Sequence, residues 1–506
     1  MWVVFRTDGG SQVGSGHVMR CLTLAQSLKA RGADVLFICR EQPGHLGYLI
    51  TERGFAVQLL APVPGLATGN WVDDARETRA ALEVGLGRKA NWLIVDHYLL
   101  DRRWEGELRA SADRLMVIDD LCNRPHDCDL LLDQNLVADM HERYADKLPA
   151  SCRQLIGPTY ALLHPDYARL HAHVAPRRGA VRRTLVFFGG ADSANLTERA
   201  LDAFLALGRP DIEVDIVIGA SSRHGDAVRQ KAEAHAHIRV HAGLPSLATL
   251  MSRADLAIGA GGSTHWERLC LGLPCLVVTL ADNQRPISEE LHRLGLIQLL
   301  GHHDEVDQSM ITGALDRLIR QGLPQEWSLR CMALVDGRGV SRVVTALTLM
   351  PETVMQARLA TLEDEKLLLE WANDPTTRSN AFSSAPIPAD GHARWLRQKL
   401  GDLASVRLYI VETADGVALG QVRFECGDIG WEIDYSIAPE FRGYGLGRRL
   451  LNTALMRLRA DAPGASVFGQ VKVDNVPSRK VFESLGFQAS ESPDVSDGVA
   501  CYRQTV

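Results

Sequence analysis

A series of apolar runs, each followed by polar residues, constrains the fold of this chain more than any other feature. WVVF (2–5), VLFICR (35–40), AVQLL (56–60), WLIVDHY (92–98), LMVIDDL (115–121) and DLLLDQN (129–135) are mostly near-continuous rather than alternating, which marks strands buried on both faces. Helical patterns lie between them; Met19, Leu22, Leu24, Ala25 and Leu28 recur at helical spacing over 19–30. This alternation predicts an α/β fold with a doubly wound parallel sheet. Ligands of such sheets bind beyond the carboxyl ends of the strands. Asp8, Asp96, His97, Tyr98, Asp119, Asp120, Asp133 and Asn135 are therefore expected to line one crevice.

The same edge carries GSGHVMR (14–20), a glycine-bearing turn opening the first helix. A helix N-terminus offers free N–H groups and positive potential to an anion, which puts His17 beside an anionic ligand. The residues alone equally fit a plain strand-to-helix turn that His17 caps.

A second series begins after a polar, basic stretch with Pro165 and Pro176 (164–183), where a domain boundary is expected. TLVFFGGAD (184–192), a helix over 196–207, VDIVIGASS (214–222), IRVHAG (238–243), DLAIGAGGST (255–264) and PCLVVTLADNQ (274–284) repeat the strand-and-helix order. Two strand ends carry paired glycines, Gly189-Gly190 and Gly261-Gly262, which let backbone amides approach a phosphate. Ser263 and Thr264 add hydroxyls at the next helix start, and Glu267, one turn in, is placed to accept from a ribose hydroxyl. Together they favour diphosphate binding.

The pattern changes after MPETVMQ (350–356). SVRLYIVET (405–413), GVALGQVRFE (416–425) and GWEIDYSI (430–437) read as antiparallel strands. EFRGYGLGRRLL (440–451) then places Arg442, Gly443, Gly445 and Gly447 ahead of an apolar-striped helix, a turn that presents consecutive amides to a pyrophosphate.

At 506 residues the length suits three or four domains. A net charge of −7 offers no basic field for nucleic acid. The ten cysteines form no CxxC pair; Cys122, His126 and Cys128 resemble a metal site but lack a fourth ligand at useful spacing, so no metal is expected. No basic segment leads into an apolar signal core and no run of eighteen apolar residues occurs, so a cytoplasmic protein without a membrane partner is expected.

Two resemblances are specific. RGYGLG (442–447), followed by VDNVPSRKVFESLGF (473–487), resembles the Gcn5-related N-acetyltransferase (GNAT) family over 357–506. That resemblance implies an α+β domain using acetyl-CoA as co-substrate, held by Ile437, Arg442, Gly443, Tyr444, Gly445, Gly447, Arg448, Asn475 and Ser478. Glu432 would be the base for the acceptor amine. The family's tyrosine acid falls at Phe482, which cannot donate a proton, leaving Tyr502, Tyr435 or water.

RTDGG (6–10), GSGHVMRCLTLA (14–25), VDHYLLD (95–101), IDD (118–120), LLDQN (131–135) and GPTYALLHPDY (157–167), with FFGGAD, GAGGSTHWE and ADNQ, resemble the UDP-2,4-diacetamido-2,4,6-trideoxy-β-L-altropyranose hydrolases of pseudaminic acid biosynthesis over about 1–349. The resemblance implies a GT-B-like pair of Rossmann-type domains, 1–170 and 171–349, then a linker at 350–356. It further implies His17 as general base for hydrolysis of the sugar–UDP bond, with Asp8 orienting it. Arg6, Gly16, Arg20, Asp96, Tyr98, Asp119, Asn283 and Gln284 would hold the sugar. Gly189, Gly190, Asp192, Gly261, Gly262, Ser263, Thr264 and Glu267 would hold UDP. An N-acetyltransferase acts one step earlier in that pathway, on the 4-amino group of the UDP-sugar, so the two halves would catalyse consecutive steps. Alternatives left open by the sequence are a glycosyltransferase using a sugar acceptor, and a C-terminal unit that only binds acetyl-CoA or acetylates protein N-termini.

Overall fold

A computed structural model describes residues 1–506 apart from 11–12, 63–69, 191, 220–221, 350–352, 415, 491–497 and 506. It divides into two compact units, Met1–Val344 and Thr345–Val506. Part of the stretch read as a linker, 350–352, lies outside the described residues, and Met355 and Gln356 enter a strand.

The first unit contains two parallel sheets. One is built from β1 (Trp2–Thr7), β2 (Asp34–Arg40), β3 (Ala56–Leu60), β4 (Ala90–Asp96), β5 (Ala112–Ile118), β6 (Leu130–Asp133) and β7 (Arg153–Ile156), in the order β3-β2-β1-β4-β5-β6-β7. Val3, Val4 and Phe5 of its centre are fully buried, as are Leu93 and Ile94. Burial on both faces is what the continuous apolar runs encode, each large side chain contributing about 1.5–3 kcal/mol.

The other sheet has β8 (Arg183–Phe187), β9 (Glu213–Ile218), β10 (Ile238–Ala242), β11 (Leu256–Ala260), β12 (Cys275–Thr279) and β13 (Gln298–His302), ordered β10-β9-β8-β11-β12-β13. Its core takes in Ala161, Leu163 and Tyr167 from the connection between the sheets, and Leu136 from the segment between β6 and β7. The chain reaching the second sheet is thus itself core, which makes the two sheets one unit.

The second unit is a mixed sheet of β14 (Met355–Leu359), β15 (Val406–Thr413), β16 (Ala418–Gly427), β17 (Gly430–Ile437), β18 (Ser466–Lys472), β19 (Gln488–Ser490) and β20 (Val499–Thr505), ordered β14-β15-β16-β17-β18-β20-β19. β17 and β18 run parallel and pair only from Trp431↔Val467 to Ile433↔Gly469. Beyond Ile433 they part, opening the sheet at Asp434 to Ile437. No helix among the described residues is long and apolar enough to cross a membrane.

Candidate functional site

Strand order in the first sheet reverses between β1 and β4, which pair with Thr7 opposite Asp96. Connections leave the two strands in opposite directions there, and a crevice opens above their ends. Helix Gly16–Ala30 starts over it, and His17 Nδ1 lies 2.5 Å from Asp96 Oδ1. Arg20, one turn along on the same face, reaches the same carboxylate, with Nε 2.6 Å from Oδ2 and Nη2 2.6 Å from Oδ1. Burial opposes ionisation of Asp96, but Arg20 and then His17 outweigh it and hold the carboxyl well below its usual range.

A carboxylate only accepts, so His17 Nδ1 turns a proton to Asp96, and in the neutral imidazole Nε2 is the nitrogen with the lone pair. Nε2 has no protein hydrogen bond among the described residues, and the Tyr98 ring stands edge-on to the imidazole at 4.4 Å. The histidine therefore does not cap its helix. It forms a buried acid–base pair on the wall of a cavity of about 830 Å³.

Asp8 also lines the cavity but is not the partner of His17, which corrects the sequence expectation. Its oxygens accept from Arg6 Nη1 at 2.6 Å, Arg6 Nη2 at 3.1 Å, the Arg40 amide at 2.7 Å and His97 Nε2 at 3.1 Å. Arg6 sets its fork, fully buried, between Asp8 and Asp74. It cannot touch a sugar, a second correction. His97 Nδ1 accepts from the Leu99 amide, so both its nitrogens are used and it is a positioning residue. Asp119 is likewise consumed inside the fold, accepting from the Cys122 amide, Tyr144 Oη and Arg124. The expectation that it contacts the sugar is not met.

The second sheet has its own reversal, between β8 and β11, and both glycine pairs sit there. Gly190 faces the Ser15 side chain of the GSGH turn; a Cβ on it would lie 4.0 Å from Ser15 Oγ. The amides of Gly262, Ser263 and Thr264 have no protein acceptor among the described residues, and neither have those of Ser15, Gly16 and His17. Gly16, Arg20, Tyr98, Gly261, Gly262, Ser263, Asn283 and Gln284 line the cavity. Gln284 Oε1 is taken by the Leu280 amide. Gly189, Gly190, Thr264 and Glu267 do not line it. Burial pushes the Glu267 carboxyl up to about 7, against a hydrogen bond from Tyr167, and its Oε2 is buried without a partner. Asp192, the remaining expected UDP ligand, is spent on the Leu196 and Thr197 amides at the next helix start.

Sequence reasoning omitted His265 and Trp266 from the site, although both line the cavity. Burial, then Arg268, keeps His265 uncharged. Both lie within GAGGSTHWE, where the glycines drew attention from the helix that follows. The metal-like trio disperses: Cys122 Sγ meets the Arg143 carbonyl, His126 meets Glu105, and Cys128 lies 3.5 Å from Cys152. Among the described residues no three His, Cys, Asp or Glu side chains are grouped to hold a metal.

In the second unit, Gly443 and Gly445 have φ of +81° and +69° in the turn before helix Gly447–Asp461. The amides of Gly443, Gly445, Leu446, Gly447 and Arg448 have no protein acceptor among the described residues. This concave row of donors suits a pyrophosphate. Gly447 is also a close approach, since a Cβ would meet Val481 Cγ2 at 2.8 Å. Arg442 turns away to Asp374 Oδ1 at 2.6 Å and Thr377 Oγ1 at 2.7 Å, and Tyr444 Oη donates to the Ala346 carbonyl.

Asn475 caps helix Val476–Ser484 by accepting from the Ser478 amide, and Ser478 Oγ lies 3.0 Å from Tyr435 Oη. Tyr435 and Ile437 belong to the parted end of β17. Tyr502 Oη donates to Glu483 at 2.9 Å and accepts from Arg479, with its ring stacked on Phe482. Phe482 packs over Gly469 so closely that a Cβ there would fall 2.4 Å from its ring. Glu432 is solvent-exposed on β17; partial burial is the first cause raising its pKa, with Glu425 and Asp434 adding to it against Arg423.

Fold and site together define a GT-B-like pair of Rossmann-type domains followed by a GNAT acetyltransferase domain. Residues 356–488 match the family described as Acetyltransferase (GNAT) domain. The chain is 26% identical over 353 residues to the spore coat polysaccharide biosynthesis protein SpsG of Bacillus subtilis, covering 69% of this chain and 98% of SpsG. It is also 26% identical over 296 residues to the UDP-2,4-diacetamido-2,4,6-trideoxy-beta-L-altropyranose hydrolase of Campylobacter jejuni, covering 58% of this chain and 97% of that enzyme. The crystal structure of Acinetobacter baumannii MurG superposes with a TM-score of 0.50 at 16% identity, over 69% of this chain and 99% of MurG, a likeness of fold. The chain is thus a fusion of a hydrolase-related GT-B-like part and a GNAT domain.

Proposed function

We propose that this is a bifunctional enzyme of pseudaminic acid biosynthesis that acetylates a UDP-4-amino-4,6-dideoxy-sugar and hydrolyses the resulting UDP-2,4-diacetamido-2,4,6-trideoxy-β-L-altropyranose. The observation that carries the hydrolytic half is the His17–Asp96 pair, with Nε2 unpaired on the cavity wall. In this reading Nε2 takes a proton from water as its oxygen bonds to the anomeric carbon. The bond from that carbon to the UDP oxygen breaks, and the electron pair leaves with UDP. Proton transfer of this kind contributes about 10²–10⁴-fold to rate. The unpaired amides of Gly262, Ser263 and Thr264 would meet the charge on the departing diphosphate, and the likeness to the Campylobacter hydrolase supports the substrate.

The acetyl-transfer half rests on the GNAT match and the five-amide turn, which would hold the acetyl-CoA pyrophosphate. The parted β17 and β18 would admit the thioester arm beside Tyr435. With Phe482 in the core and Tyr502 engaged by Glu483 and Arg479, Tyr435 is the better placed phenol to protonate the departing thiolate. Glu432 would accept the amine proton.

The test supplies the UDP-4-amino-sugar with acetyl-CoA and follows coenzyme A, UDP and free sugar together. Coenzyme A and UDP should both appear, with UDP requiring acetyl-CoA. UDP release that depends strictly on an added sugar acceptor would instead make the first unit a glycosyltransferase, and no coenzyme A above background would make the second a binding module.

A further inference from the structure

Of the residues lining the cavity, Asp120 alone, among the described residues, has a buried side-chain oxygen or nitrogen with no partner, and the atom is Oδ1. Its other oxygen, Oδ2, accepts from Arg20 Nη1 at 3.1 Å. Arg20 cannot serve both oxygens, because Nε and Nη2 are committed to Asp96. The carboxylate is therefore fixed at one end with a bare acceptor at the other. A buried acceptor left bare is costly, on a scale that one donor restores. Asp120 also acts on the neighbouring Tyr98 phenol, which is pushed up first by burial and then by this carboxylate. Asp120 and Tyr98, whose ring flanks His17, line the same cavity.

We propose that Asp120 Oδ1 accepts a hydrogen bond from an acetamido N–H of the bound sugar, which makes Asp120 a specificity-determining residue. The inference rests on the hydrolase reading above. That sugar, deoxygenated at C6 and diacetamido at C2 and C4, presents two acetamido N–H groups and a single free hydroxyl, at C3. An acceptor held by Arg20 selects for a donor at this position and against an ether or carbonyl oxygen.

Asp120→Asn tests this with little change of shape. Its carbonyl oxygen must face Arg20, so its NH₂ is turned toward the substrate and opposes another donor. For UDP release from the diacetamido nucleotide-sugar, KM should rise ~10- to 100-fold while kcat falls less. In complexes with enzyme carrying His17→Ala, the amide proton of one ¹⁵N-labelled acetamido group should move downfield, and Asp120→Asn should abolish that shift. Asp120→Ser repeats the test should the Asn variant not fold. A KM within twofold of wild type in a folded variant overturns the proposal. A raised KM with neither amide proton shifted overturns the N–H assignment and moves the contact to the hydroxyl. Absence of UDP release by the wild type removes the hydrolase reading, and this inference with it.

Discussion

His17 draws its chemistry from residues far away in sequence. Asp96, 79 positions on, arrives because β4 pairs with β1 beside Thr7. Sequence proximity favoured Asp8, and nothing in one strand-turn-helix segment reveals which later strand lies next to it. The histidine was legible in GSGHVMR, but its partner depended on strand order. Asp96→Asn keeps the shape but removes the charge that fixes Nδ1–H, and UDP release should fall about 10²–10⁴-fold. Asp8→Asn should instead weaken the fold. It removes one of the two carboxylates that flank the fully buried Arg6 and leaves Asp74 as its charge partner, a loss of about 1.5–3 kcal/mol in urea unfolding, while folded enzyme retains more activity than Asp96→Asn. Equal activity losses with no change in stability would reverse these roles.

Among elements, the apolar runs that became β1, β2 and β4 to β6 were readable because burial on both faces leaves little polar alternation, and β3, an edge strand with only Leu60 buried, was readable from its apolar composition alone. β7, RQLI at the sheet edge, was not, being four residues with only Leu155 buried. β18 and β20, seven residues each, were missed because polar residues break their apolar pattern and pairing with neighbouring strands defines them. Elements also carry linked protons. His126 sits between Glu105 at 2.6 Å and Asp119 at 3.6 Å, and although burial lowers its pKa, the two carboxylates raise it to about 9. An unfolded histidine titrates near ~6.5. The folded state holds this proton more tightly, so the stabilisation is complete below pH ~6.5 and is lost as pH climbs through about 9. Urea midpoints measured from pH 6 to 9.5 should decline, and His126→Gln should flatten that decline. In the second unit, Gly445→Val forces a β-branched residue into φ +69° and distorts the amide row. KM for acetyl-CoA should rise ~10-fold or more, with UDP release from preformed diacetamido substrate unchanged.

At the scale of the whole chain, two units with separate sheets carry two candidate sites, and in the proposed function the product of one is the substrate of the other. The change from continuous apolar strands to antiparallel alternation near residue 357 marked the two kinds of fold in the sequence, whereas the cavity itself had to be assembled from turns more than a hundred residues apart. Hydrolysis by His17 is the step on which the proposed function depends. Release of UDP from UDP-2,4-diacetamido-2,4,6-trideoxy-β-L-altropyranose, followed with no sugar acceptor and no acetyl-CoA present, measures it directly. Wild type should yield UDP and free sugar in equal amounts, and His17→Ala should yield neither above background while still transferring acetyl groups. UDP release by His17→Ala at the wild-type rate would contradict the assignment.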